Sequence, residues 1–277
     1  MSAAGELLAL LQRAFERRAA PRVRALHLPP TPWNGRKDGE FGAIELDSGA
    51  LGLSYLLLDD TLARIGPEGA GVAGADALQL AQRWIDGSTP AQRALGFAAV
   101  NALSRELMDR AGYAPPDAPD SIGGLDPQPG EAVGMVGFFP PLARQVVARG
   151  ATLTVLELRA DLAGAHDGFR VTLDRTDLAP CTQVLSTSTV LLNHTLDDVL
   201  AACTSARQLV LVGPGAGCLP DPLFARGVTA LGGTWIEDAA AFTGALASGG
   251  KWSAAARKVL LARDDWPGAD ALIAAAA

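Results

Sequence analysis

Polar and small residues gather at the ends of short apolar runs along this chain, and the chemistry they could do depends on that placement. The densest patch is Ser186-Thr187-Ser188-Thr189 followed by Asn193-His194-Thr195. Hydroxyls, a carboxamide and an imidazole within so short a span can hydrogen-bond a polar ligand. His194 is the side chain there whose proton moves near neutral pH. Thr195 can alternatively cap a helix that begins at Leu196. Glu157 ends a second apolar run. A carboxylate at such a position accepts hydrogen bonds from ribose-like hydroxyls, or stands as a solvated charge. A third run ends in Gly137-Phe138-Phe139-Pro140-Pro141 and a fourth in Gly213-Pro214-Gly215-Ala216-Gly217-Cys218. Glycine there lets backbone approach a ligand, or simply makes a tight turn.

Several chemistries are excluded by what these motifs lack. The turn at Gly134–Gly137 is not GxGxxG and has no P-loop lysine, and no GxSxG frames a serine nucleophile. The chain has three His (His27, His166, His194) and three Cys (Cys181, Cys203, Cys218) with no CxxC pair. That rules out a disulfide framework and a zinc ribbon, and fits a reducing, cytoplasmic setting. His166 near Asp161 and Asp167 is the one loop that invites a metal, though a lone loop histidine is more often merely exposed.

The elements that would position these residues alternate in two styles. An amphipathic helix carries Leu7, Leu8, Leu11 and Phe15 on one face, interrupted by Glu6, Arg13, Glu16, Arg17 and Arg18, which is no signal peptide. Short strands are expected at Arg22–Leu28, Phe41–Leu46 and Leu51–Leu58, with a turn at Asp47-Ser48-Gly49. Helices follow at Ala75–Asp86 and Pro90–Ala111, the second capped by Ser88 or Thr89 and ended by Gly112. Three prolines in Ala114–Pro119 mark a linker. The expected division is residues 1–116, an α+β domain, and 117–277, an α/β domain. In the second, strands at Ala132–Gly137, Thr152–Glu157, Gln183–Thr187, Gln208–Val212 and Val228–Ile236 alternate with helices at Pro140–Arg149, Leu196–Ala202 and Asp238–Ala247. Continuous apolar strands separated by helices predict a mostly parallel sheet covered on both faces.

The charge balance narrows the partners. With 23 Lys and Arg against 30 Asp and Glu, the net charge is −7. A nucleic-acid ligand would need a basic stripe, and none is visible. No uncharged apolar stretch of about 18 residues exists to cross a membrane.

Blocks in consistent order from about residue 40 to 260 carry a resemblance. They are Gly96–Leu103, Val133–Leu142, Ser188–Leu196, Gly213-Pro214 and Leu219–Val228, and together they resemble the DUF364 family of heavy-metal chelation domains. The resemblance implies an enolase N-terminal-like domain followed by a Rossmann-like domain, with a pocket between them. It implies small-molecule chemistry: condensation or hydrolysis of pterin-, flavin- or siderophore-like compounds, or, alternatively, carriage of a metal–chelate complex without turnover. Carried over by position, the ligand contacts are Asn101, Gly134, Gly137, Phe138, Thr189, Asn193, Gly213 and Pro214, with His194 and Glu157 as catalytic candidates. The sequence departs from the family pattern in two places. His194 stands where glycine is usual, and Gly215 and Ala216 stand where hydroxyl residues are common. The expected partner is a small polar or heterocyclic ligand, with a homodimer compatible with this reading. No cofactor is specified, and no direct metal site is expected from six dispersed His and Cys.

Overall fold

The computed structural model describes residues 2–16 and 21–277, so Arg17 and Arg18 lie outside the described residues. Helix α1 (Ala3–Phe15) begins at Ser2, whose hydroxyl accepts from the Gly5 N–H, and it buries Leu7, Leu8, Leu11 and Phe15. Strands β1 (Val23–His27), β2 (Phe41–Leu46) and β3 (Leu51–Tyr55) form an antiparallel sheet in that order. Gly49, at φ +94°, makes the turn between β2 and β3. Helices α2 (Thr61–Glu68), α3 (Ala77–Asp86) and α4 (Pro90–Arg110) complete the first unit. Helix α2 was not expected, because its few apolar residues and internal Pro67 give it no clear helical period.

Helix α4 starts as its sequence predicts: Thr89 accepts from the Gln92 N–H at 3.1 Å and Pro90 takes the first position. Its middle, from Ala94 to Ser104, is buried throughout. A helix apolar on all sides belongs inside a fold rather than on its surface. It lies between the small sheet and the second unit.

The second unit runs β4 (Ala132–Val136), α5 (Pro140–Ala148), β5 (Thr152–Leu156), β6 (Gly164–His166), β7 (Phe169–Thr172), β8 (Gln183–Thr187), α6 (Thr189–Leu192), α7 (Leu196–Ala202), β9 (Gln208–Val212), α8 (Asp221–Phe224), β10 (Ala230–Ile236), α9 (Ala239–Ala247), β11 (Ala256–Ala262) and α10 (Ala269–Ala275). Its eight strands are ordered β11-β10-β9-β8-β4-β5-β7-β6. The six central strands are parallel, and the edges β11 and β6 are antiparallel to their neighbours. The fold class is therefore α/β, with an α+β unit preceding a Rossmann-like sheet. The strands absent from the sequence reading are β6, β7 and β11. β6 and β7 are only three and four residues long, β7 carries Arg170, and edge strand β11 carries Arg257 and Lys258, so none shows the continuous apolar run of a buried strand. The proline-rich linker is tied down as well: Leu260 N donates to Pro116 O and Ala118 N to Lys258 O.

Chain order sets the cleft. From β4 the chain moves outward to β5 and β7, then returns to β8 on the other side of β4 and continues to β9 and β10. The carboxyl ends of β4 and β8 thus diverge, and a crevice opens there. Among the described residues no helix is long and apolar enough to cross a membrane.

One hydrophobic core joins the two units. It includes Leu46, Leu95, Phe97 and Leu103 from the first and Val136, Val184, Leu211 and Leu231 from the second. The small sheet can sit close to α4 only because Gly52 has no side chain. A Cβ there would lie 2.1 Å from Ala102 N and 2.2 Å from Ala98 O, both rigid helix backbone. Gly52→Ala should therefore cost roughly 1–3 kcal/mol or more, the range for overpacking. The check is a lowered denaturant midpoint in urea unfolding; an unchanged midpoint would show that the helix can move aside.

Candidate functional site

The carboxyl ends of the parallel strands and one edge of the small sheet enclose a cleft of about 1190 Å³. Five loops of the second unit line it: Val136–Pro140 after β4, Leu156–Arg159 after β5, Leu173–Arg175 after β7, residues from Thr187 to Val199 after β8, and Val212–Pro214 after β9. The first unit contributes Lys37, Asp38, Glu40, Phe41, Tyr55 and Leu58, and Trp252 closes one end. Of the residues expected from sequence, Gly137, Phe138, Glu157, Thr189, Asn193, Gly213 and Pro214 all line this one space.

Glu157 is fixed by backbone. Its Oε2 accepts from Phe138 N at 2.9 Å, and its Oε1 accepts from Leu158 N at 2.8 Å and Arg159 N at 3.4 Å. The carboxylate straps the turn after β4 to the end of β5, with Oε2 still able to accept from a ligand. This also decides against a phosphate at the start of α5. Gly137 N is bonded to Leu156 O, Phe138 N to Glu157, and Pro140 and Pro141 carry no N–H. A phosphate cradle needs several free backbone donors, and this turn keeps only Phe139 N.

The β8 loop presents donors. Thr187 Oγ1 bonds Thr189 Oγ1 at 2.9 Å, and Thr189 N donates to Thr187 Oγ1 at 3.2 Å. Asn193 Oδ1 accepts from both Thr195 Oγ1 (2.7 Å) and Thr195 N (3.2 Å). That locks the carboxamide and leaves Nδ2 as a donor. Thr195 sits at the N-cap of α7, but its hydroxyl goes to Asn193 rather than to the helix. Gly213, at φ +148°, lets the β9 loop pass Ser188, whose Oγ a Cβ would meet at 2.4 Å. Aromatic faces complete the walls. Phe138 is backed by Phe169 at 5.5 Å and by His166 at 6.3 Å between ring centres.

Three sequence expectations are corrected. His194 is not in the cleft. Its Nε2 meets Trp84 O at 2.9 Å and its ring stacks on the Trp84 indole at 5.8 Å. Its φ of +58° explains the departure noted above: this turn needs the left-handed conformation that glycine adopts freely, and the imidazole compensates with a hydrogen bond. Asn101 is 3% exposed and also outside the cleft. It donates from Nδ2 to Leu53 O at 2.7 Å and Gly215 O at 2.9 Å, joining β3 to the β9 loop. Gly134 lies within β4 under Leu178, Val184 and Cys181, where it serves packing.

The sequence reading missed the contributions of the first unit. Glu40 ends the short helical turn Lys37–Glu40 before β2, and Tyr55 ends β3, neither in a polar motif. Burial, followed by the charge of Asp38, pushes the Glu40 carboxyl up against the opposing pull of Lys37. Burial also raises the Tyr55 phenol, and the charges of Glu40 and Glu157 add to that. Trp252 holds the Glu40 turn in place, donating from Nε1 to Asp38 O at 2.7 Å. No local signal marks these residues. Only the docking of the two units reveals them.

A family model described as "Putative heavy-metal chelation", DUF364, matches residues 121–263, and a second with the same description, DUF4213, matches residues 40–104. The chain belongs to the DUF364 family. Two solved structures of DUF364 proteins of unknown function are similar to it. One, from Desulfitobacterium hafniense, is 20% identical with a TM-score of 0.67, covering 94% of this chain and 99% of its own. The other, from Pyrococcus horikoshii, is 19% identical with a TM-score of 0.66, covering 92% and 99%. At these identities the likeness speaks for the fold. No curated protein matches the chain.

The description of the DUF364 family raises the question of a metal held by the protein itself, and the donor set does not fit one. Burial pushes the Cys181 thiol up to about 11 and those of Cys203 and Cys218 up to about 12. Soft metals bind thiolates, which these sites resist forming. His27 faces Glu45 Oε2 at 2.7 Å and His166 faces Leu162 O at 2.8 Å, while Asp161 pairs with Arg159 at 2.6 Å. Among the described residues no group of three His, Cys, Asp or Glu side chains is placed to hold an ion.

Two outcomes follow. His194→Gly should change stability by less than about 1 kcal/mol, because relief of the left-handed strain offsets the lost hydrogen bond, whereas His194→Ala keeps the strain and loses about 1 kcal/mol. Thermal unfolding of the pair should rank glycine above alanine; the reverse order would deny the turn this role. The three thiols should react with Ellman's reagent only on unfolding, since at about pH 8 roughly a thousandth or less of each is thiolate. Fast reaction of the native protein would contradict their burial.

Proposed function

We propose that this DUF364 protein binds a small, partly aromatic organic ligand of the pterin, flavin or catecholate kind in the cleft between its two units. The observation that carries this reading is the convergence of five strand-end loops and one sheet edge on a single space with two kinds of wall. Phe138, Phe139, Tyr55 and Trp252 supply flat apolar faces. Glu157, Thr189 and Asn193 supply polar atoms whose orientation is locked by the protein's own hydrogen bonds. A site with a few fixed polar groups among aromatic faces suits a planar heterocycle with a polar edge.

The same arrangement supports a link to metals through an organic chelator. Such a ligand would bring its own oxygen or nitrogen donors, so the protein needs none. A nucleotide bound by its phosphates is disfavoured by the donor-poor turn before α5. Condensation or hydrolysis of the bound ligand is the chemistry this family resemblance suggests.

Thermal-shift measurements with pterins, flavins, catecholates and nucleotides test the reading. At ligand concentrations about 100-fold above Kd, binding stabilises by about 2.7 kcal/mol, a readily visible shift. Asn193→Ala and Phe138→Ala should each weaken the effect about tenfold or more while leaving the ligand-free melting temperature within a few degrees. If the whole panel leaves the wild-type protein unshifted, the cleft is not a site for this class.

A further inference from the structure

Ser188 lines the cleft and is only 7% exposed, and its hydroxyl has no hydrogen-bond partner among the described residues. It stands at the N-cap of α6, yet its Oγ makes no capping bond. The other hydroxyls of this loop that line the cleft are paired, Thr187 with Thr189 at 2.9 Å and Thr195 with Asn193 at 2.7 Å. The backbone of Ser188 is held on both sides: its N donates to Val212 O at 2.9 Å, and its O accepts from Leu191 N at 3.0 Å. Among the described residues, the partnerless side-chain atoms sealed from solvent are Ser54 Oγ, Thr61 Oγ1, Asn101 Oδ1 and Gln183 Oε1. Ser188 Oγ is not one of them. It keeps an opening, and the space beside the residue is the cleft. Gly213 holds that opening clear, because a Cβ there would lie 2.4 Å from Oγ. A hydroxyl on so buried a residue calls for a partner, and an occupant of the cleft can supply one.

The surroundings of that hydroxyl say what kind of partner fits. Val136, Ser188 and Val212 stand at the carboxyl ends of the adjacent strands β4, β8 and β9 and form a buried floor. The other buried residues of the lining are apolar or already bonded: Val190 and Val199 are aliphatic, Phe41 is aromatic, and Trp252 gives its N–H to Asp38 O. The cations of the lining, Lys37, Arg159 and Arg175, are all exposed, whereas its half-buried acids are Asp38, Glu40 and Glu157. An anion at the floor would lose its water and gain no buried cation. The partnerless donors here are neutral: the Ser188 O–H, the Phe139 N–H and the Asn193 Nδ2 group.

We propose that Ser188 anchors the ligand at the floor of the cleft by donating its O–H to a neutral ring-carbonyl oxygen, so that the class taken is an uncharged lactam heterocycle. The proposal rests on the reading of the cleft as a ligand site and narrows it: neutral pterin- and flavin-type rings are favoured over catecholate anions. An apolar floor with one placed hydroxyl orients a flat ring by a single polar atom. Without that hydroxyl the ligand's carbonyl is buried unpaired, which is the larger part of its cost. Ser188 forms no covalent bond in this role.

Ser188→Cys tests the opening without a ligand. The native cysteines are all buried, so methyl methanethiosulfonate should modify the folded variant at one thiol and leave the folded wild-type protein untouched, read by intact mass. An unmodified variant would overturn the placement of Ser188. The ligand class is tested by calorimetry with pterin, which is neutral and carries a ring carbonyl. Pterin should bind the wild-type protein and slow the modification of Ser188→Cys. Ser188→Ala should weaken pterin binding about fivefold or more, as expected for a lost buried hydrogen bond, with the ligand-free melting temperature unchanged. The analogue 2-aminopteridine lacks the ring carbonyl and should bind the wild-type and Ser188→Ala proteins alike. No loss with pterin, or an equal loss with both compounds, would overturn the hydrogen bond. Pterin-6-carboxylate should bind the wild-type protein about tenfold or more weakly than pterin, since its charge finds no buried cation. Equal or tighter binding would overturn the neutral class. A flat isotherm with pterin would overturn the lactam class, and the catecholates and nucleotides of the thermal-shift panel then decide separately whether the cleft takes any ligand.

Discussion

The carboxamide of Asn101 holds the two halves of this molecule in register. It sits in the buried middle of α4 and donates one hydrogen bond to Leu53 O on the small sheet and another to Gly215 O on the loop after β9. Both acceptors are backbone, so neither can rotate away. With each bond in a low-dielectric interior, loss of this one side chain would strand two carbonyls at a cost of about 1–3 kcal/mol apiece. Its Oδ1 has no partner among the described residues, a penalty the fold tolerates to keep the clamp. Gly52 permits the approach of sheet to helix, and Asn101 fixes it. Every wall of the cleft follows from that docking, because the first unit brings Glu40 and Tyr55 and the second brings the strand-end loops.

A second strap works at the far end. Trp252, on the loop before β11, donates to Asp38 O and packs against Phe41 and Phe242 at 6.4 and 5.3 Å. Asn34 Nδ2 donates to Gly249 O close by. The turn that carries Glu40 is therefore held by the second unit as much as by its own sheet. Pinned from both ends, the cleft behaves as a preformed site whose shape depends on contacts between the units and little on the flexibility of any one loop. Preformed polar walls are what allow a small ligand to bind without first ordering the protein.

Strands such as β4, β8 and β9 were legible from sequence because they lie in the middle of the large sheet, are almost wholly buried, and read as nearly continuous apolar runs. β2, β8 and β9 fall on the residues expected, and the polar loops that follow β5, β8 and β9 supply much of the cleft. What escaped the reading has physical reasons. Edge strand β6 is only three residues long, and edge strand β11 carries Arg257 and Lys258 among its apolar residues. His194 looked like a proton carrier because imidazole near hydroxyls usually suggests one, but the backbone at that turn is left-handed and aims the ring at Trp84. Asn101 looked like a ligand contact, yet a polar residue in an all-apolar helix face was an equally good sign of a buried clamp. Glu40 and Tyr55 were invisible because their importance comes from a neighbour more than a hundred residues away in sequence, Glu157, and from a partner strap, Trp252.

The family description and the donor chemistry then point to different places for a metal. A protein that chelates a heavy metal itself gathers thiolates or imidazoles, and this chain does the opposite. It buries its three thiols singly in apolar surroundings that keep them protonated, and commits each imidazole to an acceptor elsewhere. Its concave surface instead pairs aromatic walls with oxygen-based hydrogen bonding, the combination on which the proposal of an organic ligand rests. Under the proposed reading, the metal would come with an organic chelator that brings its own donors, and the protein would contact the chelator rather than the ion.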